Sequence, residues 1–483
     1  ATGPAYATSL LSDPYMQTDL FVKNLGINDG IIGDANLHGE WHNKVQGLLL
    51  DAHIREGEQA RTHVNGYVYP IKPTSSLDLQ IDAHQTNLKF IHYYINSITP
   101  DFSGRATGHV HLYGKFKALT LDGAVDADAA FKIDVLNTTY HVKDSILLHP
   151  EGLDFPNNRV IDTQGHVGNV QGSVRYNHFK DMNYNFNFRL NNTLLLNTRE
   201  SPDFPFYGTI YGTGSATLRG NPLEGLNVDL ALSTNRNSTF TYIKDNVMAA
   251  TSNQFIKFVD KTPRRKAQET ASLSAYEQDR QVIQREEAEE TEGDIHLNLI
   301  VDATPDATMR IIMDPVAGDY ISGRGSGNIR AEFYNKGDFK MFGNYNISQG
   351  SYKFSLQEVI RKDFSIKSGS SIAFNGIPEE ATLDMQAVYT VNSASLNDLL
   401  PSSATASDYI SQTNVKVNCL MNISGQLTAP EIKMDLELPN ERDEIQALVR
   451  NYIPTDEQMN MQILYLLSIG KFYTPEYVDV QQN

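Results

Sequence analysis

The chain has 483 residues, 40% of them apolar, and its 58 acidic and 40 basic side chains give a formal net charge of −18. This acidity, without a stripe of Lys and Arg, argues against a nucleic-acid partner, because phosphate binding needs clustered positive charge. The single cysteine, Cys419, excludes a disulfide framework or a cysteine-based zinc site within one chain. A chain of this length must divide into domains or extend as a repetitive stack, and 24 Tyr and 21 Phe against one Trp favour β-strands.

The start of the sequence, Ala1-Thr2-Gly3-Pro4, has no Met, basic region or apolar core of a signal peptide. No run approaches the roughly 18 consecutive apolar residues that span a bilayer. We therefore expect the sequence to be a soluble fragment of a longer protein.

Clusters of Gly, Asn and Asp punctuate the chain and predict the turns of antiparallel hairpins or meanders. They include Asn28-Asp29-Gly30, Leu121-Asp122-Gly123, Asn335-Lys336-Gly337-Asp338 and Phe374-Asn375-Gly376. A loose repeat links the small-residue segments that begin at Ser103, Tyr211 and Ser322, roughly a hundred residues apart. Each is followed by strand-like sequence, which predicts a unit of several strands.

Residues that could carry chemistry are few. The pair His109 and His111 and the group Asp122, Asp126 and Asp128 lie on polar strand faces without the spacing of a known zinc or calcium motif. The lone Cys419 lies among inward-pointing apolar residues, which indicates a buried core cysteine. No cluster of carboxylates suits glycan cleavage, so we predict no enzyme, no catalytic residue, no cofactor and no metal.

The dominant signal is period-two alternation, which predicts half-buried strands with one apolar and one polar face. The apolar positions are Met182, Tyr184, Phe186, Phe188, Leu190, Val228, Leu230, Leu232, Ile295, Leu297, Leu299, Val301, Val415, Val417, Met421, Ile423, Ile432, Met434 and Leu436. Periodicity alone favours packing of this face against a second sheet, as in a sandwich. It leaves an open trough as the alternative.

Two segments depart from the alternation. Residues 253–293 combine a short amphipathic pattern around Phe255 with a charged tract, which predicts a solvated insertion. Near the end, Asn440 and Thr455 predict helix N-caps, the second in a capping-box pattern with Gln458. Two short amphipathic helices should follow them.

The segment from Asp338 to Phe354, then Lys362 to Gly376, resembles the C-terminal part of the TamB family. Its pattern is G-x-Y-x-I-x-x-G-x-Y-x-F, then F-x-I-x-x-G-S-x-I-x-F-x-G. The run from Ile423 to Ile432 and the two final helices are similar to the closing pattern of that family. These blocks cover Ile321 to Phe472, and the long insertion is similar to homologues of the Bacteroidetes group.

The resemblance implies an all-β fold: an elongated, repetitive, mostly antiparallel sheet curved into a U-shaped, taco-like trough with an apolar interior, as in AsmA-like bridge proteins. The apolar positions above would then line a lipid groove. It also implies a periplasmic location, an inner-membrane anchor upstream and an outer-membrane partner of the TamA barrel type. Because the sequence stops at Gln482-Asn483, we expect the terminal strand that meets this partner to be missing.

Four parts are expected: a repetitive trough over 1–252, the charged insertion over 253–293, a TamB C-terminal β-domain over 294–438 and a helical tail over 439–483. Two functions follow from the resemblance. The first is a groove that carries phospholipid acyl chains between the inner and outer membranes. The second is an assembly factor that acts with a TamA-type barrel on outer-membrane proteins, where exposed sheet edges would pair with client strands.

Overall fold

The computed structural model describes residues 1–8, 15–27, 30–95, 99, 101–134, 136–201, 206–221, 224–243, 294–337, 339–356, 360–399 and 413–474. They form one mostly antiparallel sheet of 24 strands, with two helices at the C-terminal end. The predicted all-β class and the two terminal helices are confirmed.

The strands are β1 (Ala5–Thr8), β2 (Tyr15–Ile27), β3 (Gly30–His42), β4 (Gly47–Glu56), β5 (Gln59–Val68), β6 (Leu77–Asn87), β7 (Phe102–Lys115), β8 (Ala118–Ile133), β9 (Thr138–His149), β10 (Gly152–Asp162), β11 (Val167–Asn177), β12 (Lys180–Thr198), β13 (Phe206–Asn221), β14 (Gly225–Thr234), β15 (Thr239–Ile243), β16 (Asp294–Ala303), β17 (Thr308–Asp314), β18 (Asp319–Tyr334), β19 (Lys340–Leu356), β20 (Ile360–Ile366), β21 (Ser370–Gly376), β22 (Thr382–Ser395), β23 (Asn414–Gln426) and β24 (Ala429–Glu437). A single helical turn, α1 (His92–Ile95), follows β6, and the terminal helices are α2 (Asp443–Tyr452) and α3 (Asp456–Ile469). None of the helices in the described part of the chain combines the length and the apolar character that crossing a bilayer requires.

The strands follow one another across the sheet in chain order. From β1 to β13, each strand pairs antiparallel with the next. Further on, β14 with β15, β16 with β17, and β20 with β21 each share one row of the sheet, because both members pair with the same neighbouring strand. With neighbouring rows about 4.8 Å apart, the ladder measures on the order of 100 Å along its hydrogen bonds.

One step of the ladder is parallel. β14 pairs with β16 and β15 with β17 in a constant register, Gly225 facing Asp294 and Thr239 facing Thr308. A parallel pair needs a crossover connection that returns to the first end of the row. Residues 244–293, which connect β15 to β16 in the sequence, lie outside the described residues, and the predicted insertion with its amphipathic pattern lies among them.

Register irregularities align into a crease that crosses most of the sheet. Several contain a residue with positive φ, such as Asn24, Gln85, Asp144 and Asn192. The irregular steps along this line include Val22/Leu25, Ile54/Arg55, Ala83/Thr86, Asp154/Arg159, Phe155/Asn158, Leu190/Thr193 and Arg324/Gly325. The rows β14/β15, β16/β17 and β20/β21 break near the same line. Bulges bend strands, so an aligned series of them suits a sheet folded along its length.

Two predicted turns are wrong, and a third, at Asn28 and Asp29, lies outside the described residues. Phe374, Asn375 and Gly376 lie inside β21 and pair with β19. Leu121, Asp122 and Gly123 lie inside β8, where Gly123 faces Val110 of β7. A Cβ on Gly123, at φ +137°, would stand 2.3 Å from the backbone oxygen of His109. Here the glycine permits a close approach of two strands. The turn around Lys336, between β18 and β19, is confirmed.

A buried carboxylate ties the end of β10 to β12. Both oxygens of Asp162 accept hydrogen bonds: Oδ1 from the backbone N–H groups of Gln164 and His166 at 2.9 Å, and Oδ2 from the Leu194 N–H at 2.7 Å, with His166 Nδ1 also 2.9 Å from Oδ2. Burial raises the pKa of Asp162, but these hydrogen bonds outweigh it and the net pKa is lowered. Nearby, the Tyr140 hydroxyl donates to the Leu194 carbonyl at 2.8 Å.

Replacing Asp162 by alanine should lower the free energy of unfolding by about 3 kcal/mol, because buried donors lose their acceptor. Since the folded-state pKa is depressed, this contribution is present above the unfolded-state pKa and is lost as the pH falls through the folded-state pKa. Urea unfolding of the wild type and of Asp162→Ala, at neutral and at acidic pH, measures the difference in free energy of unfolding and its decrease in acid. Asp126→Ala, at an exposed position of β8, is the control and should change stability by no more than about 0.5 kcal/mol. Equal stability of Asp162→Ala and the wild type at neutral pH would contradict the assignment.

The terminal helices pack on the last strands. Thr455 caps α3, accepting a hydrogen bond from the Gln458 N–H at 3.3 Å, as predicted. The cap predicted at Asn440 is wrong: α2 begins two residues later than that cap requires, after Arg442, where Asp443 and Glu444 occupy the first turn and complement the helix dipole. Helix α3 buries Met459, Ile463, Leu466 and Leu467 and contacts β20, β22, β23 and β24.

Candidate functional site

The apolar positions of successive strands lie side by side across the sheet. Strand alternation places every second side chain on one face, and the pairing register aligns these faces between neighbours. One file of directly opposed residues crosses fourteen strands, β2 to β14 and then β16, because β15 shares the row of β14. Every member is apolar or glycine: Leu20, Leu37, Ala52, Val64, Ile81, Val110, Gly123, Leu148, Leu153, Val174, Tyr184, Gly220, Leu226 and Ile295.

Parallel files continue the same face toward the C-terminal end. One runs through Phe186, Leu218, Val228, Leu297 and Phe333. The next two run through Phe188, Ala216, Leu230, Leu299, Ala331 and Met341, and through Leu190, Gly214, Leu232, Val301, Ile329, Gly343 and Phe374. We call this continuous face the apolar face. A groove lined by the predicted positions requires the apolar sides of neighbouring strands to lie next to one another, and the pairing register of these strands places them so.

Aromatic rings concentrate on the apolar face around β12. Phe186 stands edge-on to Phe155, with ring centroids 5.2 Å apart, and lies beside Tyr184 and Phe188. The residue opposite Phe186 on β11 is Gly172, where a Cβ would stand 2.5 Å from the Phe186 ring. A glycine here lets the ring lie over the neighbouring strand.

In the body of the sheet the apolar face is only partly covered. The predicted positions on β12, β14 and β16 are half-buried, apart from Tyr184 and Leu232, which are buried. Among the described residues, no helix packs on β11 to β16 as α3 packs on the last strands; their main contacts are with neighbouring strands. The half-buried side chains leave apolar surface accessible there, which favours the open trough over the closed sandwich.

The C-terminal end of the same face is sealed. A core cluster begins at Ile311 and runs through β18 to β24 and both terminal helices to Phe472. Five predicted groove residues belong to it, each at most 4% exposed: Val415, Val417, Met421, Ile423 and Leu436. Met434 packs at the edge of the cluster and Ile432 is 43% exposed. Apart from Ile432 and Met434, the predicted positions that keep accessible surface therefore lie upstream of β19.

The residues considered for chemistry lie where the sequence placed them. Cys419 is buried in the sealed core, and burial raises the pKa of its thiol to about 12, which leaves it a poor nucleophile. His111 Nε2 is 2.8 Å from Asp78 Oδ1, and the exposed His109 pairs with Asp82. Asp128 pairs with Lys143 at 2.9 Å. The histidines and aspartates lie on the polar face of the sheet, opposite the apolar face.

One cluster escaped the sequence reasoning. Asp51 and His53 of β4 and His63 of β5 bring three potential ligand atoms within 4.8 Å of one another. Its sequence signal is the hairpin turn at Gly57, around which His53 and His63 face each other. A search for short His spacings could not find it, because the ten-residue separation becomes a contact only through strand pairing.

Comparison with protein families matches the TamB C-terminal domain model to residues 157–482. The chain belongs to the TamB family. The match begins well upstream of Ile321, where the sequence motifs start, and includes β12 to β18 with their half-buried part of the apolar face. The TamB family is associated with the cell envelope and its assembly. Comparison with curated proteins gives no match.

Proposed function

We propose that this chain is a periplasmic segment of a TamB-like bridge protein and that its apolar face is a groove for phospholipid acyl chains between the inner and outer membranes. The observation that carries the proposal is the unbroken file of apolar or glycine residues across fourteen strands. Over β11 to β16 most side chains of the apolar face are only half-buried. In this proposal the protein has no enzymatic activity, and it needs no cofactor.

The physical basis is the transfer of hydrocarbon from water to an apolar surface, about 0.8 kcal/mol for each buried methylene. Side chains such as Phe186, Val228 and Leu299 offer that surface at many similar positions along the sheet. Similar weak sites let a chain slide, whereas a deep pocket would hold it. The charged head group stays in water, because burying it without a partner is costly.

The sealed C-terminal core gives the groove an end. Acyl chains cannot continue past β19 along the interior, since α2 and α3 and the last strands fill that space with side chains. Under this proposal a lipid leaves the groove near β18. An inner-membrane anchor upstream and a TamA-type outer-membrane barrel would place the two ends of the bridge.

The alternative function is assembly of outer-membrane proteins with a TamA-type barrel. The feature that favours it is the last strand, β24, which pairs only with β23 among the described strands. An unpaired strand edge can accept another chain by β-augmentation. The two functions use different surfaces: the apolar face for lipid, the sheet edge for a client strand.

A photocrosslinking experiment tests the groove. A benzophenone amino acid at Leu297, on the apolar face, should crosslink to phospholipid in cells, and mass spectrometry of the gently purified protein should find lipid bound. The same amino acid at the neighbouring Asn298, on the polar face, is the matched control and should give little lipid adduct. No lipid adduct at Leu297, together with no copurified lipid, would overturn the proposal.

A further inference from the structure

The polar face carries a group of side chains that the groove does not use. Asp51 Oδ1 lies 2.8 Å from His63 Nε2 and 3.4 Å from His53 Nε2. The two imidazole rings stack almost parallel, with an interplanar angle of 4° and centroids 4.3 Å apart. Two neighbouring strands thus present one carboxylate and two ring nitrogens to the same point in space.

These separations suit a small divalent cation. Zinc holds His nitrogen and carboxylate oxygen at about 2.0–2.2 Å, so two ligand atoms of a tetrahedral site stand about 3.3–3.4 Å apart. The distance from Asp51 Oδ1 to His53 Nε2 already has this value. The distance from Asp51 Oδ1 to His63 Nε2 is that of a hydrogen bond, and it would lengthen once a metal ion replaces the proton that the two atoms share. The rings must tilt toward each other, which their partial exposure allows: the side chain of His53 is 55% exposed and that of His63 is 36% exposed.

A second carboxylate lies behind His63. Its other nitrogen, Nδ1, is 3.8 Å from Asp82 Oδ2 on β6, and a short adjustment makes this a hydrogen bond. Metal-binding histidines commonly donate their second N–H to a carboxylate, which fixes the ring orientation and strengthens the ligand. Asp82 would therefore position the ring of His63 without binding the metal itself.

We infer that Asp51, His53 and His63 bind a divalent transition metal, with zinc as the cation that their donor set and spacing fit best. The fourth position stays open to water, as in sites with three protein ligands. The ion would join β4 to β5 on the polar face, beside the step Ile54/Arg55 of the crease. It would stiffen the sheet where the strands bend.

Isothermal titration of the purified chain with zinc alone tests the inference. We expect one equivalent bound by the wild type, and affinity at that equivalent lowered more than about tenfold in His53→Ala and in His63→Ala. Asp82→Asn should weaken zinc about tenfold while the stoichiometry stays at one. Cobalt should give a visible absorption band in the wild type and in Asp82→Asn, but not in the two alanine variants.

His111→Ala is the matched control. His111 pairs with one carboxylate, Asp78, on the same face, so its loss should leave zinc binding unchanged. Circular dichroism of every variant identifies any loss of folding, and Asp51→Asn, which keeps the side-chain shape, provides a further ligand change. Absence of a zinc equivalent, or binding that His53→Ala and His63→Ala leave intact, would overturn the inference. These results do not depend on lipid, so they separate this site from the groove.

Discussion

Phe186→Arg combined with Leu299→Arg is expected to lower the phospholipid retained by the chain more than about tenfold. Both side chains lie on the apolar face, in adjacent files of the same open region. An arginine in contact with hydrocarbon costs about 2.5–3.5 kcal/mol at the centre of a bilayer, and the groove would present two of them to an acyl chain. Mass spectrometry of lipid copurified with each variant measures the change.

The matched control places the same charges on the other face. Asn187→Arg and Asn298→Arg change the residues next to the two groove positions, and the arginine introduced at position 298 would face Asp229, to which Asn298 donates a hydrogen bond at 2.8 Å. This double variant should retain lipid like the wild type. Equal loss of lipid in both double variants would show an effect of charge or folding rather than of the groove. In cells, loss of lipid transport with barrel assembly intact favours the conduit, and the reverse favours the assembly factor.

The strands could be predicted from sequence because alternation is a local property. Met182 to Leu190 predicts half of β12, and Thr455 with Gln458 predicts the start of α3; both features depend on residues a few positions apart. Register is not local. The opposition of Phe186 to Leu218 and of Leu230 to Leu299 is fixed by bulges and by a parallel step whose connection spans about fifty residues, and periodicity contains neither.

The division of the apolar face into an open and a sealed part was equally hidden. Val417 and Leu299 have the same alternating context, yet Val417 is covered by the terminal core and Leu299 is half-buried. The position of α2 and α3, which pack on the last strands, determines which part of the apolar face is buried. The amphipathic patterns predict that these helices cover an apolar surface, but not which part of the sheet they cover. The domain divisions expected at 253, 294 and 439 remain a prediction, although β14 and β16 pair across the first two of them.

Phe364→Ala should cost about 4 kcal/mol in free energy of unfolding, whereas Phe186→Ala should cost about 1 kcal/mol. Both phenylalanines lie on the same face of the same sheet, and both have aromatic neighbours: Phe354 and Tyr389 for Phe364, Phe155 for Phe186. Phe364 is 0% exposed within the sealed core, so its loss leaves a cavity. Phe186 is only half-buried, at the margin of two small clusters around Val170 and Val174, so its loss removes less buried surface and leaves a smaller cavity that is open to water.

Urea unfolding of the two variants, followed by fluorescence and by circular dichroism, measures this difference. The comparison bears directly on the groove, because a side chain covered by protein on all sides cannot also touch a lipid. If Phe186→Ala proved as destabilising as Phe364→Ala in lipid-free protein, the apolar face at β12 would be closed by protein, and no acyl chain could lie there. A small cost at Phe186 that grows when phospholipid is added would mean that lipid contacts this ring in the folded state, since a ligand stabilises the state that binds it.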